Sequence, residues 1–207
     1  SQTVHVEEPP SPGVTTDPAS TQLAENQSKL ERLLSDRLNA LGLKQLRTER
    51  LDECGLYAWW VDDDGARALS TGLGHAVSGL IYAGQTGADS ARAGIQRSST
   101  LRGRLLGNHF GGTVHGSTFR LTLAAALRDQ IVGDHNRAFD RSAESLLSDW
   151  MASHLSVVAV PFPDRKALLA LEERVIRKLD PPLNLQHVGS TSLRALLKVR
   201  RKQLLAK

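Results

Sequence analysis

Cysteine is nearly absent from this 207-residue chain, where Cys54 stands alone. One thiol closes no internal disulfide and builds no thiolate metal site, so a reducing, cytoplasmic setting is expected. Long apolar runs are also missing. Nothing approaches the ~18 residues that span a bilayer, and the N-terminus has no basic segment leading into an apolar one, so a soluble protein without a membrane partner is expected. No zinc-finger or helix-turn-helix spacing and no internal repeat is found. Tyrosine is scarce, with only Tyr57 and Tyr82. Charge of one sign is missing from each end: residues 1–27 hold no Lys or Arg, whereas Arg194 to Lys207 hold six basic residues and no acid.

A hydrophobic content of 40% suffices for a core. The net charge of +4 permits a polyanionic partner, and the charge imbalance makes the folded part more basic than that total.

Composition divides the chain. Residues 1–27 are rich in Pro, Ser and Thr without an apolar period and read as a disordered tail. Leu30, Leu33, Leu34, Leu38 and Leu41 fall at helical spacing and Gly42 can end that helix, giving an N-terminal helical extension over 28–52. GLYAWWV (55–61) reads as an aromatic-rich strand, DDDG (62–65) as a turn, and 66–79 as a glycine-rich connection. LIYAGQT (80–86) reads as a second strand, antiparallel to the first because no crossover helix is evident. SSTLRGRLLGNHF and STFRLTLAAALRD open with capping residues and predict helices. AESLLSDWM predicts another, LSVVAVPF a buried strand, and DRKALLALEERVIRKLD a helix stopped by Pro181 and Pro182. A basic helix from about Thr191 closes the chain. The expected fold is α/β, a small and mostly antiparallel sheet of about three strands flanked by helices, with the central domain over 53–187 and a basic C-terminal helix over 188–207.

One carboxylate lies on the wrong side of its helix. Leu168, Leu171, Val175, Ile176 and Leu179 form an apolar stripe, and at ~100° per residue Glu172 projects near its middle, with Glu173 toward the edge. A carboxylate there needs a cation. A buried salt bridge, to Arg104 or Arg120, and a site for a hard divalent ion such as Mg²⁺ are equally compatible with this helix. Arg102, Arg104 and His109 crowd into eight positions. Arginine can clamp a phosphate and histidine can move protons near neutral pH, although a solvated basic helix carries the same residues. Two prolines hold Asn184 at a fixed place after the glutamate helix, where it is either a turn residue or a ligand-binding amide. Tyr57 and Tyr82 alone are ordinary core residues of strands.

In this order the residues resemble the GIY-YIG endonucleases. Gly55-Leu56-Tyr57 is similar to the first half of the signature and Tyr82-Ala83-Gly84 to the second, with Ala in place of Ile and Gln85 where a basic residue is usual. Arg104 fits the arginine of the following helix and His109 its His or Tyr. EERVIRKLDPPLN fits the metal-binding glutamate and the terminal asparagine, at Glu172 and Asn184. The resemblance covers about residues 53–186. Arg104 and His109 lie five apart, ~140° from each other on an α-helix. Either the helix breaks at Gly107, or Arg102, seven before His109, shares the role.

The resemblance implies phosphodiester hydrolysis. Mg²⁺, with Mn²⁺ as a substitute, is expected at Glu172, with Arg104 at the phosphoryl oxygens and Tyr57, Tyr82 and His109 as the group that activates water. Asn184 orients a phosphate or the site. Double-stranded DNA is the expected substrate, with Arg102, Arg120, Lys198, Arg200 and Arg201 as its phosphate contacts. A restriction or phage-defence role fits the compact size, and a homodimer is the expected route to double-strand cleavage. The rival reading is a GIY-YIG-like module that binds nucleic acid without cutting it.

Overall fold

The computed structural model describes residues 17–87, 100–133 and 139–206. Its centre is a four-stranded antiparallel sheet in the order β1 (Leu41–Gly42), β4 (Leu155–Pro161), β2 (Gly55–Val61), β3 (Gly79–Thr86). The α/β class and the antiparallel pairing match expectation, and the two-residue β1 adds a strand to the three foreseen.

Strand β2 reads as an unbroken apolar run because it is covered on both faces. Tyr57, Trp59 and Val61 enter one core layer, against α3 (Asp63–Leu73), α4 (Thr118–Val132), α5 (Arg141–His154) and α7 (Ser192–Leu205). Leu56 and Ala58 enter the other, with Leu30 and Leu34 of α1 (Pro18–Leu34) and Leu168, Leu171 and Val175 of α6 (Arg165–Leu179). The period of two along the strand thus produces three layers from one segment. Strand β3 lies at the sheet edge, where both helical layers end together.

Three local expectations are corrected. The disordered tail over 1–27 does not extend past Asp17 within the described residues, and residues 1–16 lie outside them. Asp17 accepts a hydrogen bond from the Ala19 N–H, and Pro18 opens α1, where its missing N–H has no cost. That helix stops at Leu34, well short of Gly42. Asp36 accepts from the Leu38 N–H to start a separate short turn, and Leu38 stands in solvent.

The connection between the tyrosine strands is not irregular either, because it contains α3. Asp62 accepts from the Gly65 N–H at 2.7 Å, so DDDG is a cap and first turn, with Asp63 and Asp64 at the positive end of the helix dipole. Leu69 and Leu73 are buried and Gly74, at φ 64°, ends the helix.

Candidate active site

The signature glycines are required by close contact, Gly84 with a side chain and Gly55 with backbone. In the β2–β3 ladder Tyr57 pairs with Gly84. A Cβ at Gly84 would lie 2.6 Å from Tyr57 Oη and 2.9 Å from Cζ, so the second signature ends in glycine to seat the phenol of the first. A Cβ at Gly55 would lie 2.2 Å from the Val160 carbonyl oxygen, which excludes a side chain where β2 meets β4.

The segment after β3 begins at Thr100 within the described residues, and Ser98 and Ser99 of the expected helix lie outside them. Residues Gly103–Phe110 form a π-helix, with Gly111 N–H donating to the Leu106 carbonyl at 2.8 Å. A wider turn bonded from i to i+5 stacks residues five apart on one face, which removes the difficulty of the Arg104–His109 spacing without a break at Gly107. The charge of Arg104 acts on Tyr57, Tyr82, His109 and Glu172 together, and its Nε is buried without a hydrogen-bond partner among the described residues. Arg102 turns away to donate to the backbone carbonyls of Arg47 and Glu49. Arg104 is therefore the arginine that the fold brings to the tyrosines.

His109 is 2% exposed and packs edge-on against Tyr57, Trp59 and Phe119. Its Nε2 lies 3.0 Å from Tyr57 Oη and its Nδ1 lies 2.8 Å from Ser117 Oγ. Burial, reinforced by the guanidinium groups of Arg104 and Arg120, lowers its pKa from 6.5 to about 3, so the ring is neutral. Burial raises the Tyr57 phenol well above its ordinary 10, with Tyr82 and Glu172 opposing its ionisation and Arg104 favouring it. The Tyr82 phenol is raised by the same cause and relieved first by Thr118, whose Oγ1 lies 3.5 Å away.

Glu172 is half-buried and has no ion-pair partner among the described residues. Burial raises its carboxyl pKa, opposed first by the charge of His187 and then by a hydrogen bond from Gln85 and the charge of Arg104. Gln85 thus serves the glutamate where a basic residue was expected. Tyr82, Glu172, Asn184, His187, Lys198 and Arg201 line one cavity of about 280 Å³. Asn184 is buried at the open edge of β3, its Nδ2 donating to the Ala83 carbonyl at 2.8 Å and its Oδ1 accepting from the Ala83 N–H at 2.9 Å. Both heavy atoms of the amide thereby fasten the segment after α6 to the second signature. Arg194 braces the same segment through the carbonyls of Asp180, Pro181, Asn184 and Gly189.

Metal geometry is sparse. Among the described residues no group of three or more His, Cys, Asp or Glu side chains could enclose an ion. A lone carboxylate facing a cavity with room for water still fits Mg²⁺, which keeps several waters and takes one or two protein carboxylates.

The five residues expected on DNA separate. Arg120 is a correction: it is 0% exposed, pairs with Glu144 at 2.7 Å, and donates to the carbonyls of His109 and Phe110. Arg120 is expected as a phosphate contact or as the buried partner of Glu172, but its helix is buried on nearly every side and its ion pair is with Glu144. Arg200 donates to the Gly72 carbonyl, tying α7 to α3. Lys198 and Arg201 face the cavity, with Arg201 half-buried and its guanidinium near Tyr82. Sequence reasoning missed Ser117, Thr118 and His187. Ser117 was readable as a helix cap. His187 carried no signal, although its backbone is left-handed, at φ 62°.

A cavity lined by Tyr82 and Glu172, with Tyr57 and Arg104 within electrostatic reach of both, is the class of site expected of a phosphodiester-cutting domain. The chain matches the GIY-YIG catalytic domain over residues 55–203 and belongs to that family. No curated protein and no solved structure matches it. Membership supports a nuclease activity, and the matched span takes in the basic helix α7. No helix among the described residues is long and apolar enough to cross a membrane.

Proposed function

We propose that the protein is a Mg²⁺-dependent endonuclease acting on double-stranded DNA, in a restriction or phage-defence role in the cytoplasm. The observation that carries this reading is Glu172, a half-buried carboxylate without an ion pair among the described residues that opens on the same cavity as Tyr82, Lys198 and Arg201. An inert fold would neutralise such a group with an arginine, yet Arg120 is committed to Glu144 and Arg104 makes no ion pair with it.

Glu172 holds the ion, with Mn²⁺ able to replace Mg²⁺. When bound, the ion supplies positive charge to the scissile phosphate and the leaving oxygen. Arg104 stabilises charge that develops on the phosphoryl oxygens. One tyrosine of the pair first releases its phenol proton to solvent, with Arg104 favouring the phenolate, and then takes the proton of a water whose oxygen bonds to phosphorus. The bond from phosphorus to the leaving oxygen breaks, and that oxygen takes a proton from solvent. Asn184 acts by positioning β3. Lys198 and Arg201 bind flanking phosphates, with Arg102 and Arg200 contributing charge from farther away. Two copies with one site each would cut both strands in one encounter, which favours a homodimer on DNA as the working arrangement.

Incubation with supercoiled and linear DNA, with Mg²⁺ or with EDTA, tests this reading. Cleavage with Mg²⁺ alone supports it. Binding without cleavage across several DNAs would favour the inactive module.

A further inference from the structure

We propose that Ser117 is a positioning residue that fixes His109 as its Nε2–H tautomer, so that the ring donates a hydrogen bond to Tyr57 Oη and takes no proton in catalysis. The tautomer rests on geometry alone; its consequence for cleavage rests on the nuclease reading above.

Three buried groups form a line, from Ser117 Oγ through the two ring nitrogens of His109 to Tyr57 Oη, with spacings of 2.8 and 3.0 Å. A neutral imidazole carries one N–H, so it donates at one end of this line and accepts at the other. The choice is made by the helix that follows. Ser117 is the N-cap of α4, and its Oγ accepts from the Arg120 N–H at 3.2 Å.

If Nδ1–H also donated to Oγ, the serine's own hydroxyl proton would have no acceptor. Its Oγ has no third partner among the described residues, and Ser117 is 2% exposed and does not line the cavity that Tyr82 and Glu172 share. With Oγ–H donating to Nδ1, the serine hydroxyl and both ring nitrogens are satisfied. The free proton is then the one on Tyr57, whose oxygen feels Tyr82, Arg104 and Glu172, the groups that surround the reacting phosphate in the proposed mechanism. Tyr57 is as buried as Ser117, but its oxygen feels Tyr82 and Glu172, which line the cavity, so a group bound there is the partner at that end.

The role of the histidine follows. With Nδ1 tied to Ser117 and Nε2 protonated, His109 has no lone pair for the attacking water. Its N–H instead stabilises negative charge on Tyr57 Oη, as Arg104 does through space. Tyr57 receives the proton of the water after its own phenol proton has left to solvent, the phenolate being held by the His109 N–H and the charge of Arg104.

The first test needs no activity. Long-range ¹⁵N–¹H correlation spectra of the ¹⁵N-labelled full chain, without DNA or metal, distinguish the tautomers, and His109→Gln assigns the ring. A pyridine-type Nδ1 with a pyrrole-type Nε2 is expected at neutral pH; a pyrrole-type Nδ1 or a doubly protonated ring would overturn the proposal. Ser117→Ala should let the other tautomer appear and lower kcat by about tenfold or more with KM little changed. Ser117→Thr keeps the hydroxyl and should restore both. Because Ser117→Ala also removes a cap, Asp140→Ala, which uncaps α5 at Ala143, is the control and should leave kcat alone. Ser117→Ala with a wild-type tautomer and kcat would also refute the assignment. A wild-type chain that shows the expected tautomer but cuts no DNA would count against the nuclease reading and leave the tautomer standing.

Discussion

Gly84→Ala adds one methyl group against a catalytic oxygen. An alanine Cβ would sit 2.6 Å from Tyr57 Oη. To reach the 3.4 Å of an ordinary contact, the phenol or β3 has to retreat by about 0.8 Å. Tyr57 is 3% exposed, with its ring on Gly84 and its hydroxyl at His109, so there is little space to move into. Overpacking of this kind costs about 1–3 kcal/mol, which in a chain of this size lowers Tm by roughly 3–10 °C. A displacement near 1 Å at a catalytic group can reduce turnover on the order of 10²-fold. Thermal melts and plasmid cleavage read both effects. Gly107→Ala is the control, since a Cβ there meets nothing within 4 Å. In a Tyr57→Phe background the clash with Oη is gone, so the stability penalty of Gly84→Ala should shrink while activity stays low. Wild-type melting and cleavage by Gly84→Ala would refute the claim that the second signature's glycine seats the first tyrosine.

Arg120→Leu should destabilise the fold by about 3–5 kcal/mol, because it strands Glu144 and removes a buried network, yet leave the salt dependence of DNA binding unchanged; a weaker salt dependence at unchanged stability would contradict its burial. Arg201→Ala should do the reverse, reducing the slope of log affinity against log salt by about 1 with little change in Tm; an unaltered slope would remove it from the DNA contacts. The folded pKa of His109 lies below its unfolded value of 6.5, at about 3, so the unfolded chain binds an extra proton between them. The stability from keeping this ring neutral is full above about pH 6.5 and is lost as pH falls toward 3. Tm should drop through that window and His109→Gln should flatten the drop; equal slopes in both proteins would show that another group is responsible.

The sheet and most helices were legible because burial on one or two faces leaves a periodic trace. Leu168, Leu171, Val175 and Ile176 set a stripe in which Glu172 stands out by period alone, and in the structure it lines a cavity. What failed had local causes. DDDG has the composition of a turn, and only Leu69 and Leu73 beneath it reveal the first turn of α3. Arg104 and His109 look misaligned at 3.6 residues per turn, and a π-helix leaves no mark in a pattern judged by that period. Arg120 reads as a phosphate contact or a partner of Glu172 unless Glu144, 24 residues later, is known to meet it. The link from Gln85 to Glu172 joins strand β3 to the distant helix α6, and no local rule encodes it.

Parallel measurement of DNA binding and Mg²⁺-dependent cleavage by the wild type and Glu172→Ala tests the metal site most directly. The variant should bind double-stranded DNA within about threefold of wild type, because Lys198, Arg200 and Arg201 are untouched, and cut it on the order of 10³-fold more slowly. Cleavage by Glu172→Ala at the wild-type rate in Mg²⁺ would contradict the assignment of the ion to that carboxylate.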